Sequence, residues 1–221
     1  YRNTGNQKFV EVSTSAGIDL TGFPNGVCVA DLNNDGLSDF VRFKINQDGY
    51  PAFVTENQNM GVNDQVNCLQ GGIIEPINRT VRIEDLNGNG LQEICFLLRR
   101  QDSVFLEIYE PKKEEELKED EENKFNHIEK LVEIIRTPIK ERLNGQFLQD
   151  IVDLDNDGFK EVIITIQSAF DIYPRGIYIY YPKIHLVKKS KAQALGIEYY
   201  GAWDVDSDGE KEIFVESRAV M

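Results

Sequence analysis

The chain is 221 residues long, with 41% apolar and 10% aromatic residues, enough to build a hydrophobic core as one all-β unit without relying on disulfides or metal alone. Its formal net charge is −14, from 38 acidic against 24 basic residues, which excludes the basic patches through which nucleic acid and anionic membranes are bound. No apolar stretch is long enough to span a bilayer as a helix, and Cys28, Cys68 and Cys95 are too few and too irregular for a disulfide framework or a zinc site.

In chain order, the first strand-like run is Val27-Cys28-Val29-Ala30. It enters the phrase Asp31-Leu32-Asn33-Asn34-Asp35-Gly36-Leu37-Ser38-Asp39 and leaves it through Phe40-Val41-Arg42-Phe43, with outer strands near Tyr50 to Glu56 and Gln65 to Leu69. The order then repeats. Val81-Arg82-Ile83 leads into Asp85-Leu86-Asn87-Gly88-Asn89-Gly90-Leu91-Gln92-Glu93, followed by Ile94 to Leu98, a strand near Ser103 to Tyr109 and, after an insertion, one within Ile128 to Arg136. The third copy has a strand at 147–152, the loop Asp153-Leu154-Asp155-Asn156-Asp157-Gly158-Phe159-Lys160-Glu161, and strands at 161–167, 176–181 and 183–188. The fourth runs from Tyr199 to Trp203, through Asp204-Val205-Asp206-Ser207-Asp208-Gly209-Glu210-Lys211-Glu212, into Ile213-Phe214-Val215. β-branched and aromatic runs of four to six residues, bounded by Gly and Asn, read as strands covered on both faces. The leading aspartates are 54, 68 and 51 residues apart, a spacing that signals an array of supersecondary units. The predicted units span 26–70, 79–136 and 146–188, with an inner hairpin at 199–216. The insertion at 111–125, dense in Lys and Glu, explains the longest spacing and reads as a solvated arm.

Each loop offers oxygens at positions 1, 3, 5 and 9, and a glycine at 6 that lets the chain turn and aims the position 7 carbonyl inward. Six or seven hard oxygens around one point suit calcium. The candidate ligands are Asp31, Asn33, Asp35, Leu37 and Asp39; Asp85, Asn87, Asn89, Leu91 and Glu93; Asp153, Asp155, Asp157, Phe159 and Glu161; and Asp204, Asp206, Asp208, Glu210 and Glu212. An EF-hand would need glutamate at position 12 and flanking helices, whereas position 12 is Arg42, Phe96, Ile164 and Val215 between strands. Asn, Asp and Gly also favour tight turns without metal, but four copies in one register weigh against that reading. At positions 1, 3, 5 and 9 the four loops hold 3, 2, 4 and 4 carboxylates, with Glu210 counted only for its position 7 carbonyl, so three to four structural Ca²⁺ ions are expected and the second loop is the weakest site. Bound cations would offset much of the negative charge.

Catalysis has little support. His127 and His185 are the only histidines and have no visible triad partner, and nearly every clustered acid is already assigned to a metal loop. No catalytic residue and no organic cofactor is nominated. Tyr178, Tyr180, Tyr181, Tyr199, Tyr200 and Trp203 are expected to pack between units in preference to forming a ligand platform. Cys28 and Cys95 sit in apolar runs and read as buried thiols, with a Cys68–Cys95 bridge left open. Asn78-Arg79-Thr80 is an N-glycosylation sequon.

The loops, of form D-x-[DN]-x-[DN]-G-x-x-[DE] between two strands, resemble the FG-GAP/VCBS repeat family of integrin-α-like β-propellers. The opening Tyr1-Arg2-Asn3-Thr4-Gly5-Asn6-Gln7-Lys8-Phe9-Val10-Glu11-Val12 is similar to the phrase that forms the outer two strands of such a blade. Departures are Glu at position 9 of the second to fourth loops and Asn at both 3 and 5 of the second. The resemblance covers residues 1–221 and implies a propeller of four-stranded blades, with an outer hairpin at 1–12, as part of a larger, seven-bladed type of ring. It also implies an extracellular, lumenal or ectodomain setting, where millimolar calcium fills such loops, and a non-catalytic module for protein or glycan recognition, adhesion or assembly. Its alternatives are the scaffold of a secreted polysaccharide lyase or phospholipase, and a structural subunit of a surface assembly. Neither nucleic acid nor direct membrane insertion is expected.

Overall fold

The computed structural model describes residues 1–12, 26–32, 34–45, 51–56, 63–67, 81–100, 103–113, 116, 125–136, 143–168, 175–190 and 197–217. Asn33, Cys68, the sequon at 78–80 and most of the charged arm lie outside these residues.

The described chain is all-β. A short N-terminal hairpin, β1 (Arg2–Gly5) and β2 (Lys8–Val10), pairs with itself as a two-stranded sheet. Unit one contains β3 (Gly26–Ala30), β4 (Asp39–Ile45), β5 (Pro51–Glu56) and β6 (Asn63–Asn67). Unit two contains β7 (Val81–Glu84), β8 (Glu93–Arg100), β9 (Ser103–Pro111) and β10 (Phe125–Arg136). Unit three contains β11 (Leu143–Val152), β12 (Glu161–Ser168), β13 (Gly176–Tyr181) and β14 (Leu186–Lys189). Unit four is the pair β15 (Ile197–Trp203) and β16 (Glu212–Ser217). Within each four-stranded unit the strands pair in sequence order as an antiparallel meander.

Each acidic loop is closed by the same rung, between the residue before position 1 and position 9: Ala30 with Asp39, Glu84 with Glu93, Val152 with Glu161 and Trp203 with Glu212. A β-strand alternates its side chains between two faces, so this common rung sets a common parity. Position 10 faces the preceding unit and position 11 the following one. Ile94 accordingly lies in the core shared with unit one and Cys95 in the core shared with unit three; Val162 and Ile163 divide in the same way between units two and four. The continuous apolar run Ile94–Leu98 is therefore buried throughout. Three cores result, each between consecutive units, and the first strands β3, β7, β11 and β15 lie in contact in chain order.

Some expectations change. The strand expected at 183–188 begins only at Leu186, because Pro182 opens a short 3-10 turn, Pro182–Ile184, and His185 follows at φ 51°. Proline fixes its own φ and has no N–H for a strand ladder, so it starts a turn in preference to extending β13. His185 is thus an exposed turn residue, not a strand residue. Tyr178 and Tyr180 pack between units two and three as expected, but Tyr200 and Trp203 are exposed. Cys95 is a free thiol buried in the core between units two and three, so the bridge to Cys68 is not made. Cys28, also free, is half-buried.

Leu32, Leu86 and Leu154, all at loop position 2, are buried in the three cores, whereas Val205 at the same position is 63% exposed. Replacing Leu86 with Ala should cost about 2–5 kcal/mol, as for other truncations in packed cores, while Val205→Ala should fall within about 0.5 kcal/mol. Urea unfolding of both variants checks this; equal losses would contradict the described packing.

Candidate metal centres

The four loops share one hydrogen-bonded frame. The N–H of position 2 donates to the position 9 carboxylate: Leu32 to Asp39 at 2.9 Å, Leu86 to Glu93 at 2.7 Å, Leu154 to Glu161 at 2.7 Å and Val205 to Glu212 at 3.1 Å. The glycine N–H at position 6 donates to the position 1 aspartate at 2.8–3.1 Å in every loop. Position 7 N–H donates to the Oδ1 of position 5, at 2.8–2.9 Å. Two left-handed residues per loop make this possible, at position 4 (Asn34, Gly88, Asn156, Ser207) and at position 6 (Gly36, Gly90, Gly158, Gly209). Asn tolerates that conformation better than most side chains and Gly tolerates it freely.

Backbone N–H groups thus orient the first and last ligands of each loop before any ion is considered. In loop three, one oxygen each from Asp153, Asp155 and Glu161 lie within 4.8 Å of one another, and the same holds for Asp204, Asp206 and Glu212 in loop four. Two oxygens on one Ca²⁺, each about 2.3–2.6 Å from it, are separated by no more than about 5 Å, so both sets fit a shared cation. Loop one repeats the hydrogen-bond frame with Asp31, Asp35 and Asp39, but their oxygens are not gathered within 4.8 Å as in loops three and four, and Asn33 lies outside the described residues. Asp39 is only 2% exposed and its Oδ1 is buried without a hydrogen-bond partner. A carboxylate oxygen left bare in that way costs free energy unless a cation meets it. Burial raises the pKa of Asp39 and of Glu161, and their neighbouring aspartates push in the same direction against the stabilising position 2 N–H. These are groups whose charge lacks a counter-ion.

Loop two satisfies itself. The Asn89 N–H donates to Asn87 Oδ1 at 3.0 Å and the Leu91 N–H to Asn89 Oδ1 at 2.8 Å, which fixes both amide oxygens outward and turns both NH₂ groups inward. Asn87 Nδ2 donates to Glu93 at 2.9 Å and to Glu110 at 3.2 Å, and Asn89 Nδ2 donates to Glu110 at 2.6 Å. Amide protons stand where the other loops offer oxygen, and Glu110, at the end of β9, completes the set. Position within the loop gave no signal for Glu110, because it is brought in by strand pairing.

The position 7 residues, Leu37, Leu91, Phe159 and Glu210, lie at the lips of their loops, exposed or half-buried. Lys183, from the 3-10 turn, reaches Asp157 Oδ2 at 2.8 Å and lies 5.3 Å from the centre of the Phe159 ring. That hydrogen bond holds the Asp157 carboxyl below its ordinary value. Lys183 is a tethered cation at the lip of loop three that sequence reading missed.

Consecutive loops are joined by one backbone bond each, from position 8 N–H to the preceding position 2 carbonyl: Gln92 to Leu32 at 3.2 Å, Lys160 to Leu86 at 2.8 Å and Lys211 to Leu154 at 2.7 Å. Lys160 also pairs with Glu84, and Lys211 Nζ donates to the Asp153 carbonyl at 2.8 Å. The candidate centres therefore form a row along one edge of the stack.

No protein-family model matches the chain, and no curated protein sequence matches it.

Burial raises the Glu93 pKa to about 7 from 4.5, with Glu110 pushing the same way and the Leu86 N–H opposing. The fold thus prefers the protonated acid, so this stabilisation is present below 4.5 and is lost as pH rises through about 7. In excess chelator, the stability of the native chain relative to Glu93→Gln should fall between about pH 5 and about pH 8. Urea unfolding at both values measures it; a difference that does not change with pH would refute the environment assigned to Glu93.

Proposed function

We propose that the chain is a calcium-stabilised β-propeller segment of the FG-GAP/VCBS type that acts as a binding module. The single observation that carries the metal reading is the repeated loop frame with its uncompensated acids, above all the bare Oδ1 of Asp39. Support for the propeller comes from four-stranded meanders packed face to face in chain order, with their first strands side by side. Asp31, Asp35 and Asp39, with Asn33, would hold one ion; Asp153, Asp155, Asp157 and Glu161 a second; Asp204, Asp206, Asp208 and Glu212 a third. Calcium in these loops supplies charge neutralisation and a rigid cross-link, and the protein residues supply a pre-oriented cradle. Because loop two carries its own internal donors, three ions per chain is the expected stoichiometry.

Recognition of an extracellular protein or glycan then falls to the faces and loops carried by the rigid stack. Such loops load at the calcium concentrations found outside cells and in secretory lumens. No helix among the described residues is long and apolar enough to cross a membrane.

Titration calorimetry should count three calcium ions on the native chain, two on Asp157→Ala, and four on Asn87→Asp/Asn89→Asp, where carboxylates replace the inward amides. At about 100 times Kd each filled site adds about 2.7 kcal/mol, so the melting temperature should rise with free calcium and drop in chelator. Equal melting in calcium and chelator would remove the structural role. Separately, His127→Ala and His185→Ala should leave partner capture from the native source unchanged. Calcium-dependent cleavage of a polysaccharide or phospholipid by this chain alone, lost on either substitution, would replace the binding reading with an enzymatic one.

A further inference from the structure

In loop three the protein's own ammonium group contests the place of the cation. In all four loops the position 7 N–H holds the Oδ1 of position 5, so only the second polar atom of that side chain is left to face an ion. In loop two this atom is an amide nitrogen, Asn89 Nδ2, bonded to Glu110. In loop three it is Asp157 Oδ2, and it accepts a hydrogen bond from Lys183 Nζ at 2.8 Å. Loop four offers the same four carboxylates at positions 1, 3, 5 and 9, yet among the described residues no basic side chain pairs with any of them.

The fold delivers Lys183 to that oxygen by local means. Pro182 opens the 3-10 turn between β13 and β14, and His185, at φ 51°, reverses the chain out of it. The ring of Phe159, itself at position 7 of loop three, lies 5.3 Å from the ammonium, and its negative face attracts the cation. Position 7 of loop four is Glu210, which has no ring, so this seat belongs to unit three.

We infer that Lys183 is a tethered competitor for the cation site of loop three: it neutralises Asp157 while the loop is empty and leaves Asp157 Oδ2 when the loop is filled. It thereby lowers the calcium affinity of that loop and steadies its calcium-free form. The inference rests on the calcium reading of loop three proposed above. With a Ca²⁺ about 2.3–2.6 Å from the same oxygen, two positive charges would share one carboxylate oxygen, well inside the distance over which salt screens them. Solvent reaches both Lys183 and Asp157, so the bond that must break is an exposed ion pair, and its competition weakens binding by about two- to fivefold.

Calcium titration calorimetry of the full chain tests this with two variants, each checked for native circular dichroism. Lys183→Met keeps the apolar stem and removes the charge; Lys183→Arg keeps the charge. The native chain and both variants should each count three ions. In Lys183→Met one of the three should bind about two- to fivefold more tightly, while the urea midpoint in excess chelator falls. Affinity and calcium-free stability then move in opposite directions, which a lysine with a purely structural role does not produce. Lys183→Arg should keep the native values. On the Asp157→Ala background, which lacks the loop three ion, Lys183→Met should alter neither remaining affinity. Unchanged or weaker binding by Lys183→Met, or a tightening that persists on Asp157→Ala, overturns the competitor role. A native chain whose ion count Asp157→Ala does not lower overturns instead the calcium reading of loop three, and this inference with it.

Discussion

The residue at loop position 2 is where the local and the long-range structure meet. Its N–H orients the position 9 carboxylate, its side chain enters the core of the next unit, and its carbonyl accepts the bond that registers the next loop. One residue therefore couples ligand geometry to inter-sheet packing. A loop that loses its shape withdraws a buried leucine, worth about 1.5–3 kcal/mol of apolar burial, and releases the backbone bond that aligns its neighbour. In a linear array each unit touches only its neighbours, so such a coupling, repeated at every interface, is what propagates order along the chain.

Concentrated carboxylates make that coupling expensive. Position 9 acids in loops one and three are buried beside two or three other carboxylates, and burial alone already raises their pKa. Like charges drawn together in a partly dry site need a counter-charge. The chain shows two ways of meeting the need besides a divalent ion. Loop two swaps oxygen for amide N–H and accepts Glu110 into the set, while loop three is approached from its lip by Lys183. The first makes a neutral replica of the site that keeps the frame; the second is a surface cation that can swing away, since its partner Asp157 is exposed.

Much of this was legible in the sequence. The four loops, the order of their acidic and amide residues, the strands on either side and the hairpin connection all follow from signals contained within about fifteen residues: a nine-residue run of oxygen donors with glycine at position 6, bounded by apolar runs of strand length. The turn chemistry is local, so local sequence determined it, and the same is true of Asn or Gly at position 4 of the first three loops, where the fourth has Ser207.

What only the tertiary structure decided is which groups meet from far along the chain. Glu110 reaches Asn89 across 21 residues and Lys183 reaches Asp157 across 26, and neither has a spacing that a periodic pattern could reveal. Tyr200 and Trp203 read as interface aromatics on composition, yet they lie exposed because no described unit covers that side of β15. Leu86 and Val205 occupy the same place in the same motif and are indistinguishable as apolar residues. One is buried and the other open because burial belongs to the neighbour that arrives, and alternation along a strand says only that a side chain faces one side or the other.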